Sequence, residues 1–163
     1  MSFRPMFSAL QEIADAVLGT FQDPRLVAEF QKDGETSHGF WKRTLPKKLW
    51  EAAAEKTGLG GCEIQVEIVD VTTELGSETH GQRENGTLIV ILEARAGHDI
   101  SSEPHVYKDG VWTKVAAGDV IEIPPEKVHS FTVGHLGLLR FLSVQYPPVT
   151  RLDTTDDPVC APP

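Results

Sequence analysis

The chain has 163 residues, of which 40% are hydrophobic and 24% are charged, so its length and composition indicate one soluble globular domain. Its formal net charge of −9 repels phosphate backbones and argues against nucleic acid as a partner. No apolar run approaches the roughly 20 residues that a membrane span needs. The N-terminus lacks the sustained apolar segment of a secretory signal, so we expect a cytoplasmic location.

The two cysteines, Cys62 and Cys160, are far apart in the chain, and neither belongs to a C-x-x-C pair. This usage predicts neither a disulfide scaffold nor a zinc–cysteine site. We interpret Cys62 as a small buried residue at the start of a strand, because nothing in the local sequence would activate its thiol. Cys160 lies in a Pro-rich tail, where we expect it to be exposed.

The sequence pattern of residues 1–60 predicts an N-terminal helical extension. The first helix has apolar residues at helical spacing, which are Leu10, Ile13, Val17 and Leu18. Asp23-Pro24 is typical of a helix start, because Asp caps and Pro suits the first turn. Residues 33–39 are expected to form a loop. A third helix is expected from about Pro46 to Gly58, which suits a left-handed helix cap.

Beyond Gly60-Gly61 the sequence becomes rich in β-strand patterns. At least six short strands are separated by turn signals such as Asn85-Gly86 and Lys108-Asp109-Gly110. Many short strands without intervening helices predict a β-sandwich or a β-barrel. We assign residues 61–149 to this β domain and residues 150–163, which are rich in Pro, Asp and Thr, to a flexible tail.

The segment from Gly118 to His129 resembles the second cupin motif, G-x5-P-x-G-x2-H-x3-N, with Gly118, Pro124 and His129 in register. Glu126 replaces the motif glycine and Val133 replaces the final asparagine. Both are turn positions, so the departures leave the histidine untouched. The resemblance implies that His129 points into the barrel and binds a metal ion.

The segment from Thr79 to Ala94 resembles the first cupin motif, G-x5-H-x-H-x(3,4)-E-x6-G. Counting back from Ala94 puts the two motif histidines at His80 and Gln82, and the motif glutamate at Thr87. The resemblance covers residues 62 to 149, and the sequence LLRFLSVQYPP is similar to the last cupin strand and its exit.

A second alignment of the first motif, shifted by one ligand position, remains open. In this alignment Glu78 and His80 take the two histidine positions, and Glu84 is the last ligand. The first alignment is favoured because Asn85-Gly86 looks like the hairpin turn, which would leave Glu84 at its edge.

The resemblance implies an all-β cupin jelly roll, a double-stranded β-barrel with an N-terminal α-helical extension. Residues two apart on a strand face the same side, so His80 and Gln82 would share one cavity with His129. Such a set suits a divalent transition metal, Fe, Mn, Ni or Zn. The implied function is a metal-binding cupin enzyme, of the dioxygenase, lyase or isomerase type, that acts on a small polar metabolite. The implied acid–base residues are Glu78, Glu84 and Tyr107.

Other interpretations of the same residues remain open. Relatives commonly form homodimers, so the resemblance also implies a homodimer. A cupin that has lost its ligands would be a non-catalytic small-molecule-binding or sensory protein, in which Gln82 could hydrogen-bond a ligand. Tyr107 and Trp112 are expected to pack together, and Trp41 and Trp50 are expected to anchor the helices. The remaining histidines are expected to lie on the surface or to be core residues with satisfied hydrogen bonds. These histidines are His38, His98, His105 and His135.

Overall fold

The computed structural model describes residues 3–20, 35–37, 40–61, 63–71, 78–80, 86–97, 103–124, 128–133, 137–146 and 154–155. For residues 3–5, 35–37, 40–42, 78–80, 128 and 154–155 it describes the backbone alone. Two antiparallel β-sheets face each other, and one helix packs on the outer face of the larger sheet. The predicted all-β jelly-roll architecture is thereby confirmed, although within these ranges the two sheets remain separate and do not close into one barrel.

The larger sheet has six strands in the order β1-β2-β3-β10-β5-β8. They are β1 (Glu35–Ser37), β2 (Phe40–Thr44), β3 (Gln65–Val71), β5 (Gly86–Arg95), β8 (Val120–Ile123) and β10 (Leu138–Tyr146). The smaller sheet has five strands in the order β11-β4-β9-β6-β7. They are β4 (Glu78–His80), β6 (His105–Lys108), β7 (Val111–Lys114), β9 (Val128–Thr132) and β11 (Thr154–Thr155).

Two of the turns that the sequence predicts, at Asp109-Gly110 and at Gly118, have positive φ angles, while Asn85 of the predicted Asn85-Gly86 turn lies outside the described residues. Asp109 and Gly110 join β6 to β7 with φ angles of 53° and 80°, and a two-residue hairpin turn of this kind needs positive φ at both positions. Gly118 has a φ of 93° directly before β8. The Asp109-Gly110 turn sets the register of β6 against β7, and Gly118 leads into β8, the first strand of the second motif.

Helix α1 (Phe3–Thr20) buries one apolar face against the outer face of the larger sheet. The helix contributes the apolar residues predicted from its periodicity, with Leu10, Ile13 and Val17 fully buried. The sheet contributes side chains from its three central strands, which are Val66, Ile68, Leu88, Val90, Leu142 and Val144. Burial of this apolar surface stabilises the helix on the sheet.

A short 3-10 helix (Lys47–Leu49) and helix α2 (Glu51–Lys56) extend the same outer cluster. Trp50 lies between them and is only 5% exposed, which confirms that it anchors this part of the chain. Gly58 follows α2 with a φ of 86°, so the left-handed cap predicted there is also confirmed.

Gly86, the first residue of β5, lies directly under helix α1. A methyl group at this position would overlap Met6 Cε and lie 3.2 Å from Met6 Sδ. Glycine at this position therefore lets the end of the Met6 side chain pack closely on the sheet, and a larger residue would require that flexible end to move.

The N-terminal region is not entirely helical, contrary to the prediction for residues 1–60. Strands β1 and β2 form a hairpin, and β2 pairs with β3 at the edge of the larger sheet. The predicted loop at residues 33–39 contains β1. Local patterns missed these strands because the edge of β3, to which β2 pairs, lies far away in the sequence. The helix predicted at Asp23-Pro24 lies outside the described residues.

The C-terminal tail is also partly ordered. Two of its residues, Thr154–Thr155, form strand β11 and pair with Thr79 and His80 of β4, where the sequence predicted a flexible tail. Within the described ranges, no helix combines the length and the apolar character that crossing a lipid bilayer requires.

Candidate functional site

The inner face of the larger sheet, which faces the smaller sheet, is apolar at one end and polar at the other. The apolar end contains Val69, Val71, Ile91, Leu139 and Phe141. Strand alternation brings a second set of inner residues to the opposite end. This set, which we call the inner polar cluster, is Gln65, Glu67, Thr87, Ser143 and Gln145.

The strand register joins the members of the inner polar cluster directly. Gln145 of β10 lies opposite Gln65 of β3 on one side and Thr87 of β5 on the other. Glu67 lies opposite Ser143. Residues directly opposite each other in antiparallel strands have Cβ atoms about 4.5–5.5 Å apart, so these side chains form one contiguous group.

Hydrogen bonds connect neighbouring members of this group. Gln65 Nε2 donates a hydrogen bond to Glu67 Oε1, and Gln145 Nε2 donates one to Ser143 Oγ at 3.3 Å. Glu67, Thr87 and Ser143 are between 2% and 4% exposed. A buried carboxylate is costly unless it is hydrogen-bonded, and the Gln65 amide supplies part of that compensation.

His129 belongs to the facing sheet and is only 2% exposed. The edge of its ring contacts Phe131, with centroids 5.9 Å apart. Phe131 in turn stacks on Phe141 of the larger sheet, with centroids 4.8 Å apart and an angle of 23° between the rings. The two phenylalanines therefore join the sheets. His129 lies two residues from Phe131 on β9, and Ser143 lies two residues from Phe141 on β10.

The chain connection places His129 toward the polar end of the fold. Ile123, the last residue of β8, lies opposite Thr87, and only five residues separate Ile123 from His129. This link is too short for the chain to reach the opposite, apolar end of the larger sheet before it enters β9. His129 thus enters the interior from the end that contains the inner polar cluster.

Two predicted site residues of β4 are described by their backbone positions. Glu78 lies directly opposite His129 in the register of β4 and β9. His80 lies two residues further along β4, so its position is on the same face of the sheet as Glu78 and His129. The side chains of Glu78 and His80 lie outside the described part of the structure. Gln82 and Glu84 lie outside it with both backbone and side chain.

Lys108 lies opposite His129 on the other side, in the register of β6 and β9. Glu78, His129 and Lys108 therefore occupy one row across three neighbouring strands. The Lys108 side chain is 29% exposed, and its ammonium lies 3.9 Å from Asp109 Oδ2. The row combines a carboxylate, an imidazole and an ammonium position, a set of groups that can bind and protonate a polar ligand.

Tyr107 is not brought together with His129. It pairs with Ser130 and Trp112 in the strand register, which places it on the opposite face of the smaller sheet from His129. Its ring contacts that of Trp112, with centroids 5.3 Å apart. The structure thus agrees with the packing interpretation of Tyr107 and gives no support to an acid–base role.

The described side chains include no group of three His, Cys, Asp or Glu residues that could hold a metal ion. His129 is the one predicted ligand whose side chain is described. Thr87, the residue at the motif glutamate position, is 2% exposed and belongs to the inner polar cluster. Within the described inner face of the larger sheet, a carboxylate is instead present at Glu67, on a strand that the motif does not include.

Other polar groups are engaged away from the interior. His105 Nδ1 lies 2.6 Å from the Glu103 carbonyl oxygen, which agrees with its interpretation as a satisfied histidine. His38, His98 and His135 lie outside the described residues. On the outer face of the larger sheet, Arg140 donates two hydrogen bonds to Asp70, and these bonds raise the pKa of the guanidinium above its ordinary value.

Sequence reasoning missed four members of the inner polar cluster, namely Gln65, Glu67, Ser143 and Gln145. A signal was present, since each is a polar residue within a strand that is mostly apolar, in QVEIVDV and LLRFLSVQY. The pattern alone does not reveal that these residues face the interior, because both faces of these strands are buried.

No protein-family model matches the chain, and no curated protein matches it. Solved structures do match it. A cupin-like protein from Thermotoga maritima is 16% identical with a TM-score of 0.52, over 79% of this chain and 86% of that one.

Two further structures match with similar scores. The polyketide cyclase RemF from Streptomyces resistomycificus is 17% identical with a TM-score of 0.53, over 80% of this chain and 84% of that one. The Streptomyces nucleoside dehydratase Pac13 is 13% identical with a TM-score of 0.52, over 80% and 88%. At these identities the likeness concerns the fold, which agrees with the two facing antiparallel sheets and with the motif around His129. The chain therefore has the cupin fold.

Proposed function

We propose that this chain is a cupin enzyme that converts a small polar metabolite, with His129 as its proton-transfer residue. The observation that carries the proposal is the placement of buried polar side chains at one end of the inner face. There His129 approaches from one sheet, and Glu67, Thr87 and Gln145 approach from the other.

Packing alone does not require these polar residues. Where α1 covers the outer face of the same three strands, that face is filled by apolar residues, so strands of this composition can bury a face without polar groups. Buried polar groups cost free energy relative to apolar residues of the same shape unless they are fully hydrogen-bonded. Their concentration at one end of the inner face therefore favours a ligand-binding role.

Histidine suits proton transfer near neutral pH, because its ordinary pKa lies near that range. In an elimination, a base removes a proton from carbon, the C–O bond breaks, and the leaving oxygen takes up a proton. His129 would perform one of these transfers. A carboxyl group from the same face, Glu78 or Glu67, would perform the other.

The named structural neighbours support this class of reaction. RemF is described as a polyketide cyclase and Pac13 as a nucleoside dehydratase. Cyclisation and dehydration both depend on proton transfers to and from oxygen or carbon. We therefore favour lyase or cyclase chemistry over oxygenation for this chain.

A divalent transition metal, Fe, Mn, Ni or Zn, would be held by His80, Gln82 and His129 if the cupin motifs serve as ligands here. The described side chains fit only part of such a site, because they include no group of three His, Cys, Asp or Glu residues that could hold an ion. When bound, such a metal would act as a Lewis acid on a substrate oxygen.

The alternative function is a non-catalytic binding or sensory protein that uses the same interior. The replacement of two standard ligand types by Gln82 and Thr87 favours this alternative, since neither is a strong metal ligand. Both proposals predict that a small polar molecule binds in the interior. They differ in whether that molecule is chemically changed.

The test is a turnover screen followed by substitution of the central histidine. Purified protein is incubated with hydroxy acids, sugar acids and nucleosides, and products are followed by NMR. We expect conversion of one compound, and a loss of about 10²–10⁴-fold in His129→Ala. Tyr107→Phe is the matched control and should keep full activity. Turnover that survives in His129→Ala would contradict the proposal, and binding without turnover would favour the sensory alternative.

Metal use is tested separately by elemental analysis of the purified protein. A metal-dependent enzyme predicts near-stoichiometric transition metal that is lost when His80 and His129 are both replaced by alanine. The protein could also contain no metal after expression with added Fe, Mn, Ni or Zn and still convert its substrate. That result would show that proton transfer by His129 does not require a metal.

A further inference from the structure

A cleft of about 530 Å³ lies between the free edges of the two sheets. Strand β7 ends the smaller sheet and strand β8 ends the larger one, so the sheets separate here. The floor of the cleft includes Val106 and Ile121, which are inner-face residues of β6 and β8. Its volume is within the range that small-molecule sites usually have, about 300–1,000 Å³.

Four charged side chains line this cleft, two from each wall, namely Lys108, Lys114, Asp119 and Glu122. Lys114 Nζ lies 2.8 Å from Glu103 Oε2, so its charge is compensated locally. Asp119 Oδ2 accepts a hydrogen bond of 2.8 Å from the Ala116 backbone N–H, which engages it in the turn before β8.

The two remaining charges, on Lys108 and Glu122, differ in position. Lys108 shares its face with Val106, a core residue that is 2% exposed, and it lies opposite His129 in the strand register. Glu122 lies opposite Leu88, a residue of the outer face, so it belongs to the rim of the cleft. A ligand that moves inward from the cleft would pass Glu122 and meet Lys108 next to His129.

Among the described side chains, the Lys108 ammonium is only weakly compensated. Its ion-pair partner there is Asp109, whose carboxylate lies 3.9 Å away and is 58% exposed, and an ion pair at that distance and exposure contributes little. A lysine that is partly buried at the junction of a cleft and a polar interior is well placed to bind an anionic group.

We propose that the cleft between β7 and β8 is the entrance to the interior for a ligand with a carboxylate or phosphate group, and that Lys108 binds this group beside His129. The inference rests on the proposed function in assigning His129 to the same ligand, and it narrows the substrate class to small anionic metabolites. Lys108 acts as a binding residue, since it holds the anionic group while His129 transfers the proton.

Anion binding is measured with inorganic phosphate and with succinate, and the neutral succinamide serves as the matched compound. Thermal unfolding and the Cε1–H resonance of His129 in NMR spectra report binding. We expect one or both anions to raise Tm and to shift the His129 resonance, and we expect succinamide to do neither. The effect should weaken as NaCl is added, because the contact is electrostatic.

The variants separate Lys108 from the other charges of the cleft. Lys108→Gln should weaken anion affinity by about tenfold, the loss expected for one charge-assisted hydrogen bond, while Lys108→Arg should keep most of it. Lys114→Gln removes an equal charge from the same cleft and should leave affinity within about twofold. Glu122→Gln should raise affinity slightly, because it removes a like charge from the rim.

Three results would overturn the inference. They are the absence of any Tm or NMR response to either anion, an undiminished response in a folded Lys108→Gln variant, and an equal loss in Lys114→Gln. His129→Ala distinguishes this inference from the proposed function, since it should abolish turnover and still bind the anions. An anion response without turnover of any compound would sustain the Lys108 site and refute the enzyme.

Discussion

The two faces of strands β3, β5 and β10 differ in chemistry although they share one backbone. Helix α1 covers half of the outer face, and in that half the packing involves only apolar side chains. The inner face begins with apolar residues around Phe141 and ends with Glu67, Thr87 and Gln145. Both faces are buried, so the difference does not reflect access to water.

Under the proposed function, this contrast separates the residues that stabilise the sheet from those that bind the ligand. The apolar face contributes the hydrophobic free energy that holds helix and sheet together. The polar end of the inner face contributes less to stability, because buried hydrogen bonds largely replace hydrogen bonds to water. Substitutions on the two faces should therefore have opposite consequences for stability and for ligand binding.

The largest effect is expected on the outer face at Leu142, which is fully buried. Leu142→Ala should lower the free energy of unfolding by about 2–5 kcal/mol, because it removes buried methyl groups and leaves a cavity. Chemical denaturation measures the loss. Succinate affinity, measured well below the new Tm, should be unchanged. A large loss of affinity in the folded variant would break the proposed separation of the faces.

Gly86→Ala should cost about 1–2 kcal/mol, at the lower end for overpacking, because the flexible end of the Met6 side chain must move aside for the methyl group. The shorter side chain in Met6→Ala makes room for this methyl group. The double variant should therefore be more stable than the sum of the two single losses predicts, as a double-mutant cycle would show. Strict additivity would mean that Gly86 is needed for another reason, such as its backbone conformation.

The Asp70–Arg140 pair tests the uncovered half of the outer face. Its two hydrogen bonds, of 2.8 and 3.1 Å, are partly exposed, so Arg140→Gln should cost about 1–2 kcal/mol. The folded state raises the pKa of Arg140, so the stabilisation is present below the ordinary arginine pKa and is lost only above it. The difference in unfolding free energy between wild type and Arg140→Gln should therefore stay constant from pH 7 to pH 10. A fall across this range would contradict the assignment.

A smaller change in stability is expected at the inner polar cluster. Thr87→Val keeps the shape of the side chain and removes the hydroxyl group, so stability should change by no more than about 1 kcal/mol. Ligand affinity or turnover should fall clearly in the same variant, which reverses the pattern expected for Leu142→Ala. A strongly destabilised Thr87→Val variant with intact binding would assign the cluster to structure.

The smallest effect is expected for Tyr107→Phe, which keeps the contact with Trp112 and removes only the hydroxyl group. Stability should change by less than about 0.5 kcal/mol, as for most surface substitutions, and turnover should be unchanged. Loss of turnover at unchanged stability would return Tyr107 to the catalytic residues, although it lies on the other face of the sheet from His129.

Much of the β fold could be predicted from the sequence, because its signals are local. The glycines at positions 58, 110 and 118 adopt the positive φ angles that their turns need, and the hairpin of β6 and β7 follows from Asp109-Gly110. His129 was located by its position after Gly118 and Pro124. The remaining site residues of the first motif still stand as predictions, since the side chains of His80, Gln82 and Glu84 lie outside the described part of the chain.

The sequence by itself determined that short strands follow Gly60-Gly61, that the chain turns at Asp109-Gly110, and that His129 follows Gly118 and Pro124 at motif spacing. Only the tertiary structure decided that Glu67 and Gln145 share an interior with His129, that Lys108 lies opposite that histidine, and that β2 extends the sheet. The physical reason is that strand pairing joins residues far apart in the chain. Strands buried on both faces, moreover, carry no alternation to show which face is the interior.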